Sequence, residues 1–198
     1  MNESELLIVG LGNPGPDYEG TRHNLGWECV RELAARLGIE VARKRWRSLV
    51  GTFDTNSRRI WLAWPQTYMN LSGRAVAEAL RDLQLPSEQV WVVYDEIDLP
   101  VCRLRIRVGG ATAGHNGVTS ILDHLHTDRF VRFRIGVGRP NGDGVRHVLG
   151  RWGKREASAL EEVRKGVADA LELALEAGLA RAMEVYNRRG SLGCQEIK

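Results

Sequence analysis

The sequence predicts a single α/β domain in which buried strands alternate with amphipathic helices. Its 198 residues are 43% hydrophobic, which is enough for one well-buried core and short for two. Apolar runs such as residues 6–9 and 90–94 are typical of buried strands, and segments with helical periodicity follow them. No repeat, low-complexity tract or linker divides the chain. We therefore expect one domain over residues 1–189 and a loosely ordered tail over residues 190–198.

Hydrophobic periodicity and the placement of glycine and proline give the order of the predicted elements. The first helix, over residues 24–37, is expected to end at Gly38, because glycine is favoured just beyond a helix. The second helix ends at about residue 83. The predicted strands are 6–9, 39–41, 49–53, 59–64, 90–94, 103–108 and 131–137, and the later helices cover about 118–125 and most of 155–189, with interruptions at Gly166 and Gly178.

Composition argues against several classes of protein. Glu3 and Glu5 and the shortness of the first apolar run argue against a signal peptide, and no stretch approaches membrane-spanning length. The cysteines Cys29, Cys102 and Cys194 are odd in number and far apart, so the sequence suggests neither a disulfide framework nor a zinc site. We expect a cytoplasmic protein in a reducing compartment, with no membrane partner.

Arginine dominates the basic residues, since 24 of the 28 cations are arginines. They cluster at residues 43–47, 103–107 and 129–139, and in the middle cluster they alternate along a predicted strand, which places them on one face. Guanidinium groups match the geometry of phosphates, so a polyanionic partner such as nucleic acid is favoured. A surface of salt bridges to the 25 acidic residues explains the same composition equally well.

The first strand ends in a turn that carries two reactive groups. Ligands of open α/β sheets bind at the carboxyl ends of strands, and this turn brings an amide, Asn13, and an imidazole, His23, to such a place. Residues 10–15 also match the dinucleotide fingerprint G-x-G-x-x-G. That site needs a helix at its third glycine, whereas Pro14 and Pro16 stiffen the chain there and helical periodicity starts later. A dinucleotide cofactor such as NAD is therefore not expected.

Polar residues follow other strands in the same way. Asn70 lies between a strand end and a helix start, as Asn13 does. Asp95 follows the strongest buried-strand signal and is interpreted as an orienting carboxylate for a base; a metal ligand or a loop cap is the alternative. No calcium-loop or H-E-x-x-H spacing supports a metal. His115 and Asn116 follow a glycine-rich loop at a helix start, which suits an anion or a polar substrate backbone, although a lone histidine is more often structural.

Six fragments occur together in a characteristic order. They are 10–15 (GLGNPG) with Tyr18 and 21–24 (TRHN), 69–73 (MNLSG), 94–100 (YDEIDLP), 114–117 (GHNG), 134–140 (RIGVGRP) and 148–150 (VLG). The set extends from about residue 6 to the C-terminal helix and closely resembles the bacterial peptidyl-tRNA hydrolase family. One such motif would be weak evidence, but the ordered set is specific.

This resemblance implies a monomeric α/β enzyme with a mixed, twisted sheet flanked by helices, of the phosphorylase/hydrolase-like type. It also implies that peptidyl-tRNA is the substrate, that the ester between the peptide and the 3′-terminal ribose is cleaved, and that no metal or cofactor takes part. By matching motif, His23 is the general base and Asp95 its partner. The residues implied to position substrate are Asn13, Tyr18, Met69, Asn70 and Asn116, and those implied to contact tRNA phosphates are Arg107 and Arg134.

Two positions depart from the family pattern. The first phosphate position is typically lysine, and Arg107 keeps the charge but changes the geometry. Residues 111–113 (ATA), before His115, stand where the family is richer in glycine.

The implied chemistry agrees with the residues themselves. Water activated by an imidazole, whose ordinary pKa is about 6.5, suffices for an ester, and no G-x-S-x-G motif supplies a serine nucleophile. A carboxylate such as Asp95 fixes the imidazole tautomer, and amides stabilise the developing oxyanion. A non-catalytic RNA-binding member of the same fold is the alternative, and the presence of His23, Asp95 and the three asparagines argues against it.

Overall fold

The structure is a computed structural model that describes residues 5–140 and 142–197, apart from the side chain of Arg155. Within these residues the strands are β1 (Glu5–Gly10), β2 (Arg43–Arg45), β3 (Ser48–Asp54), β4 (Arg59–Pro65), β5 (Val90–Glu96), β6 (Leu104–Val108) and β7 (Val131–Gly136). The α-helices are α1 (Leu25–Arg36), α2 (Ser72–Leu83), α3 (Asn116–Leu125), α4 (Gly144–Val148), α5 (Lys154–Ala177) and α6 (Leu179–Tyr186).

The strands form one seven-stranded mixed sheet in the order β2-β3-β4-β1-β5-β7-β6. Strands β4, β1, β5 and β7 are parallel, while β2, β3 and β6 are antiparallel to their neighbours. All seven residues of β5 are buried, as expected for a central parallel strand that is covered on both faces. The edge strand β2 consists of three exposed cations, which discourage pairing with another chain.

Two hydrophobic layers cover the sheet. Leu6 and Ile8 of β1 belong to a cluster with α1, α5 and α6, while Leu7 and Val9 belong to a cluster with α2 and α3. This alternation follows from the period of two along a strand. The mixed α/β fold predicted from the sequence is thereby confirmed. None of the helices in the described residues is both long and apolar enough to cross a membrane.

The strand predicted at residues 39–41 is wrong, and β2 begins only at Arg43. Gly38 has a φ of +64° and ends helix α1 as expected. The backbone N–H of Ile39 then donates to the carbonyl of Ala34 at 2.9 Å, so this residue completes the helix terminus instead of joining the sheet. The methyl group of Ile39 packs over Gly51 of β3, at a point where a Cβ would leave no room.

Of the two predicted interruptions in the long C-terminal helix, only one is present. Gly178, with a φ of +89°, separates α5 from α6. Gly166 does not interrupt α5; Leu192 packs so closely against it that an added Cβ would lie 2.9 Å from the Leu192 side chain. The glycine is therefore explained by close packing rather than by a break.

The cysteine prediction is wrong for one pair, because Cys102 and Cys194 form a disulfide across 92 residues of sequence. Only the fold brings them together, so their spacing gives no local signal. Around this bond, residues 190–197, for which the sequence predicts loose order, carry specific contacts: the backbones of Val101 and Ile197 exchange two hydrogen bonds of 3.0 and 3.2 Å, and Leu192 is buried. Lys198 lies outside the described residues.

Candidate active site

Seven of the nine predicted site residues come together at the end of the sheet where the parallel strands terminate. Asn13 follows β1, Met69 and Asn70 lie in a 3₁₀ turn after β4, and Asp95 belongs to the end of β5. One cleft is lined by six of the nine predicted site residues, namely Asn13, Tyr18, His23, Met69, Asn70 and Asn116, and an adjoining cavity is lined by His23, Asp95, His115 and Asn116 among others. The chain thus forms a polar cleft at the edge where α/β proteins bind ligands.

His23 is held in a 3₁₀ turn, Arg22–Asn24, immediately before helix α1. The neighbouring Arg22 fixes this turn, because its guanidinium bonds to the carboxylate of Glu156 at 2.6 Å and to the carbonyl of Arg151 at 2.9 Å. The side chain of His23 is only 9% exposed. The anchored turn and the start of α1 therefore position the ring of His23.

Asp95 lies against His23 as expected for an orienting carboxylate. Nδ1 of His23 is 3.0 Å from both carboxylate oxygens of Asp95, which is buried. Burial by itself raises the pKa of Asp95, but electrostatic attraction to the two imidazoles and hydrogen bonds with His23 and His115 outweigh it and hold the pKa well below its ordinary value. Asp95 is consequently ionised throughout the neutral range.

His115 makes a contact that sequence reasoning missed. Its Nε2 is 2.9 Å from Oδ1 of Asp95, so the carboxylate lies between two imidazoles. Its ring packs against those of His23 and Tyr94, with centroids 4.9 and 4.8 Å away. The residues next to His115 in the sequence do not indicate that it pairs with Asp95, although its predicted position at a helix start indicated a polar loop.

Asn13 is held by three hydrogen bonds. Its backbone N–H donates to Oδ1 of Asn24 at 2.8 Å, and Nδ2 of Asn24 donates to its carbonyl at 2.9 Å. Its side-chain Oδ1 accepts the backbone N–H of Met69 at 2.7 Å, which ties the turns after β1 and β4 together. The backbone N–H of Met69 needs an acceptor, so this bond fixes the side of the amide on which Oδ1 lies and leaves the NH₂ group on the other side, available to a substrate. The role of Asn24 was not foreseen from the sequence.

The outer rim of the cleft is apolar. Tyr18 and Tyr68 meet edge to face at 6.2 Å between centroids, and Val145 and Leu149 line the opposite side. Tyr68 is 56% exposed and Val145 is 60% exposed, so the rim presents apolar surface to solvent. Met69, by contrast, is buried at the base of the cleft.

The family model described as "Peptidyl-tRNA hydrolase" matches residues 7–192, which is nearly the whole chain. The chain belongs to the peptidyl-tRNA hydrolase family. It is 44% identical over 184 residues to the peptidyl-tRNA hydrolase of Citrifermentans bemidjiense, covering 92% of this chain and 98% of the relative. It is 45% identical over 182 residues to that of Caldanaerobacter subterraneus, covering 91% and 98%. The solved structure of the Acinetobacter baumannii peptidyl-tRNA hydrolase superposes with a TM-score of 0.86 at 31% identity, covering 98% of this chain and 96% of that one.

Membership of a hydrolase family confirms the prediction of an enzyme, and the non-catalytic RNA-binding alternative is not favoured. Two solved peptidyl-tRNA hydrolase structures share this architecture over 96% of their own length. The family resemblance inferred from the six fragments is likewise confirmed.

For a peptidyl-tRNA hydrolase, the two predicted phosphate-binding arginines differ in their surroundings. On the sheet face that α2 and α3 cover, Arg134 donates twice to Oε2 of buried Glu96, at 2.8 and 3.0 Å. Arg107, on the edge strand β6, is exposed, and the buried Leu104 and Ile106 confirm the alternation predicted there. A third arginine, Arg132, is buried and donates to the carbonyl of Ala111 at 2.8 Å.

That carbonyl belongs to the loop in which this chain departs from the family pattern. Gly110 at the start of the loop donates its N–H to Asp128 at 3.0 Å. Ala113 has a φ of +49°, a left-handed conformation that costs an alanine about 1 kcal/mol relative to glycine. The loop is therefore anchored at both Gly110 and Ala111, and it carries backbone strain immediately before His115.

His23, Asp95 and His115 form a cluster that is joined by hydrogen bonds. These residues form the one group in the described chain whose side chains could together hold an ion. The carboxylate oxygen lies 2.9–3.0 Å from each imidazole nitrogen, a usual hydrogen-bond length, so the groups already satisfy one another. The dinucleotide fingerprint also lacks its helix, because a 3₁₀ turn follows Gly15 and α1 starts only at Leu25.

Proposed function

We propose that this chain hydrolyses the ester bond between the peptide and the 3′-terminal ribose of peptidyl-tRNA, releasing free tRNA and peptide. The reaction would recycle tRNAs that are dropped from ribosomes. The observation that carries the proposal is the buried pair of His23 and Asp95 at the base of an amide-lined cleft, in a chain of the peptidyl-tRNA hydrolase family.

His23 is the general base in this mechanism. A carboxylate can only accept hydrogen bonds, so Nδ1 of His23 carries the proton that faces Asp95 and Nε2 is left with a free lone pair. Nε2 removes a proton from water, and the resulting hydroxide bonds to the ester carbonyl carbon. When the tetrahedral intermediate collapses, the carbon–oxygen bond to the ribose breaks and the imidazolium returns its proton to the departing 3′ oxygen.

Amide groups stabilise the charge that develops on the carbonyl oxygen. The NH₂ group of Asn13 is presented to the cleft because its carbonyl oxygen is bound to Met69. Asn70 and Asn116 line the same cleft and position the substrate and the attacking water. A well-placed donor to an oxyanion lowers the activation free energy by roughly 3–4 kcal/mol.

The remaining site residues bind the two ends of the substrate. Tyr18 and Met69 flank the reacting ester, and the apolar rim formed with Tyr68 contacts the peptide or the terminal base. Arg107 and Arg134 contact phosphates of the tRNA acceptor arm. The release of counterions from these phosphates favours binding. Arg107 carries more of this effect, since two nitrogens of Arg134 are already engaged by Glu96.

We further propose that the enzyme acts as a monomer in the cytoplasm, where its substrate is produced, and that it uses no metal or other cofactor. Exhaustive treatment with EDTA should leave hydrolysis unchanged, because the candidate ligands are bonded to one another. Loss of activity that a divalent ion restores would contradict this part of the proposal.

The function is tested by incubating the wild-type protein with an N-acetylated aminoacyl-tRNA and following ester cleavage. We expect release of the intact N-acetylamino acid and of tRNA that can be aminoacylated again. Binding of the RNA without release would instead support the non-catalytic alternative.

A further inference from the structure

The second histidine of the cluster, His115, is bound at both ring nitrogens. Its Nε2 faces Oδ1 of Asp95 at 2.9 Å, and its Nδ1 faces the backbone N–H of Val118 at 3.3 Å. The side chain is only 7% exposed. Solvent therefore does not determine how this imidazole is protonated; its two partners do.

Those two partners allow a single tautomer. The backbone N–H of Val118 can only donate, so Nδ1 of His115 must present a lone pair. The carboxylate of Asp95 can only accept, so Nε2 must carry a proton. Both requirements are met by the neutral ring protonated at Nε2.

His115 also begins a helix. It is the N-cap residue of α3, and its Nδ1 satisfies one of the N–H groups that a helix start leaves unpaired. That bond holds the lone pair of Nδ1 against the start of the helix. His115 is thus a neutral donor whose direction is fixed by the helix.

We propose that His115 is a positioning residue that acts through Asp95 to hold the catalytic tautomer of His23. Its Nε2–H occupies Oδ1 of Asp95 and fixes the rotation of the carboxylate. The carboxylate then directs both of its oxygens at Nδ1 of His23, each at 3.0 Å, which keeps the proton there and leaves Nε2 free. This role rests on the proposed function, since it acts on the base of that reaction.

The tautomers can be read directly from the wild-type protein by long-range ¹H–¹⁵N NMR of its histidine rings near neutral pH. We expect the proton of His115 on Nε2 and that of His23 on Nδ1. A proton on Nδ1 of His115, alone or in addition to Nε2, would overturn the proposal. This spectrum does not depend on turnover, so it separates a failure of the proposal from a failure of the proposed function, which the hydrolysis assay alone would reveal.

Two substitutions separate the donor role from the capping role. In His115→Gln the terminal amide takes the place of Nε2 and donates to Asp95, but the helix cap is lost. In His115→Asn the shorter amide keeps a good N-cap acceptor, but nothing reaches Asp95. We expect His115→Asn to lower kcat about tenfold with little change in KM. His115→Gln should keep kcat within about threefold and have a lower Tm.

A purely structural histidine predicts the opposite pattern, with wild-type turnover in His115→Asn. That result overturns the proposal, as do equal losses of kcat in the two variants or a loss confined to KM. His124→Gln is the matched control, because this histidine lies on the same helix and bonds only the carbonyl of Ser120 in the structure, at 2.8 Å. Its kcat should equal that of the wild type.

Discussion

The residues of the site depend on groups that can hydrogen-bond in only one way. Asp95 accepts from two imidazoles, and Oδ1 of Asn13 accepts a backbone N–H. These bonds orient the lone pair of His23 and the NH₂ group of Asn13, which we propose act in the reaction. Motifs in the sequence identified His23, Asp95 and Asn13 as candidates. They did not reveal His115 or Asn24 as their partners, because these contacts exist only once the loops are folded together.

The ionised form of Asp95 should stabilise the fold. Its pKa in the folded protein lies below the value of about 3.9 expected in the unfolded chain, so its contribution is complete above that value and is lost as the pH falls toward the folded pKa. We expect the free energy of unfolding of the wild type to decline as the pH is lowered below about 4. Urea denaturation over a pH series measures this decline.

The control for that series is Asp95→Asn, which cannot titrate at this position. Its free energy of unfolding should be lower at neutral pH and should fall less steeply in acid. A slope as steep as that of the wild type would show that other carboxylates cause the acid sensitivity.

The Asp95→Asn variant should hydrolyse substrate more slowly than the wild type but faster than His23→Ala, since it perturbs the tautomer without removing the base.

At the level of elements, the sequence predicted most helices and strands because their periodicity is strong and glycine marks their ends, as Gly38 does for α1. The two failures had different causes, a local contact at a helix terminus and a contact with a residue that is distant in sequence. Ile39 was assigned to a strand, but its N–H is used by the helix terminus, and Gly166 was assigned to a break, although it exists to let Leu192 approach. Hydrophobic periodicity along the chain indicates neither of these two contacts.

Strands β6 and β7 contain the two arginines that we predict to bind tRNA phosphates. Arg107→Ala should weaken binding of full-length peptidyl-tRNA and reduce its salt slope by about 1, but leave cleavage of a 3′-terminal fragment unchanged. Arg134→Ala should impair both substrates, because it also leaves the buried carboxylate of Glu96 without its partner, next to Asp95. Values of kcat/KM for the two substrates across a salt series test this difference.

Arg58→Ala supplies the control, since Arg58 precedes β4 at the end of the sheet away from the cleft. This substitution should leave kcat/KM unchanged for both substrates. Parallel losses in Arg107→Ala on the fragment and on full-length tRNA would show that Arg107 does not act through phosphates.

For the whole molecule, the disulfide between Cys102 and Cys194 joins the C-terminal segment to the loop between β5 and β6. It closes a long loop of chain and therefore restricts the unfolded state strongly. We expect Cys194→Ser to lower the free energy of unfolding by roughly 2–4 kcal/mol. Urea denaturation of the wild type with a phosphine reductant should show a similar loss, whereas the reductant should not affect Cys194→Ser. Equal stability of the reduced and oxidised wild type would contradict this.

The fold brings turns from β1, β4 and β5 to one edge, where we propose that His23 acts as the base for ester hydrolysis. Single-turnover cleavage of N-acetylaminoacyl-tRNA by the wild type, His23→Ala and the control His124→Ala measures it most directly, with tRNA binding recorded for each. We predict that His23→Ala loses at least about a thousandfold in rate while binding tRNA normally, and that His124→Ala is unaffected. Cleavage by His23→Ala at a rate near that of the wild type would contradict the mechanism.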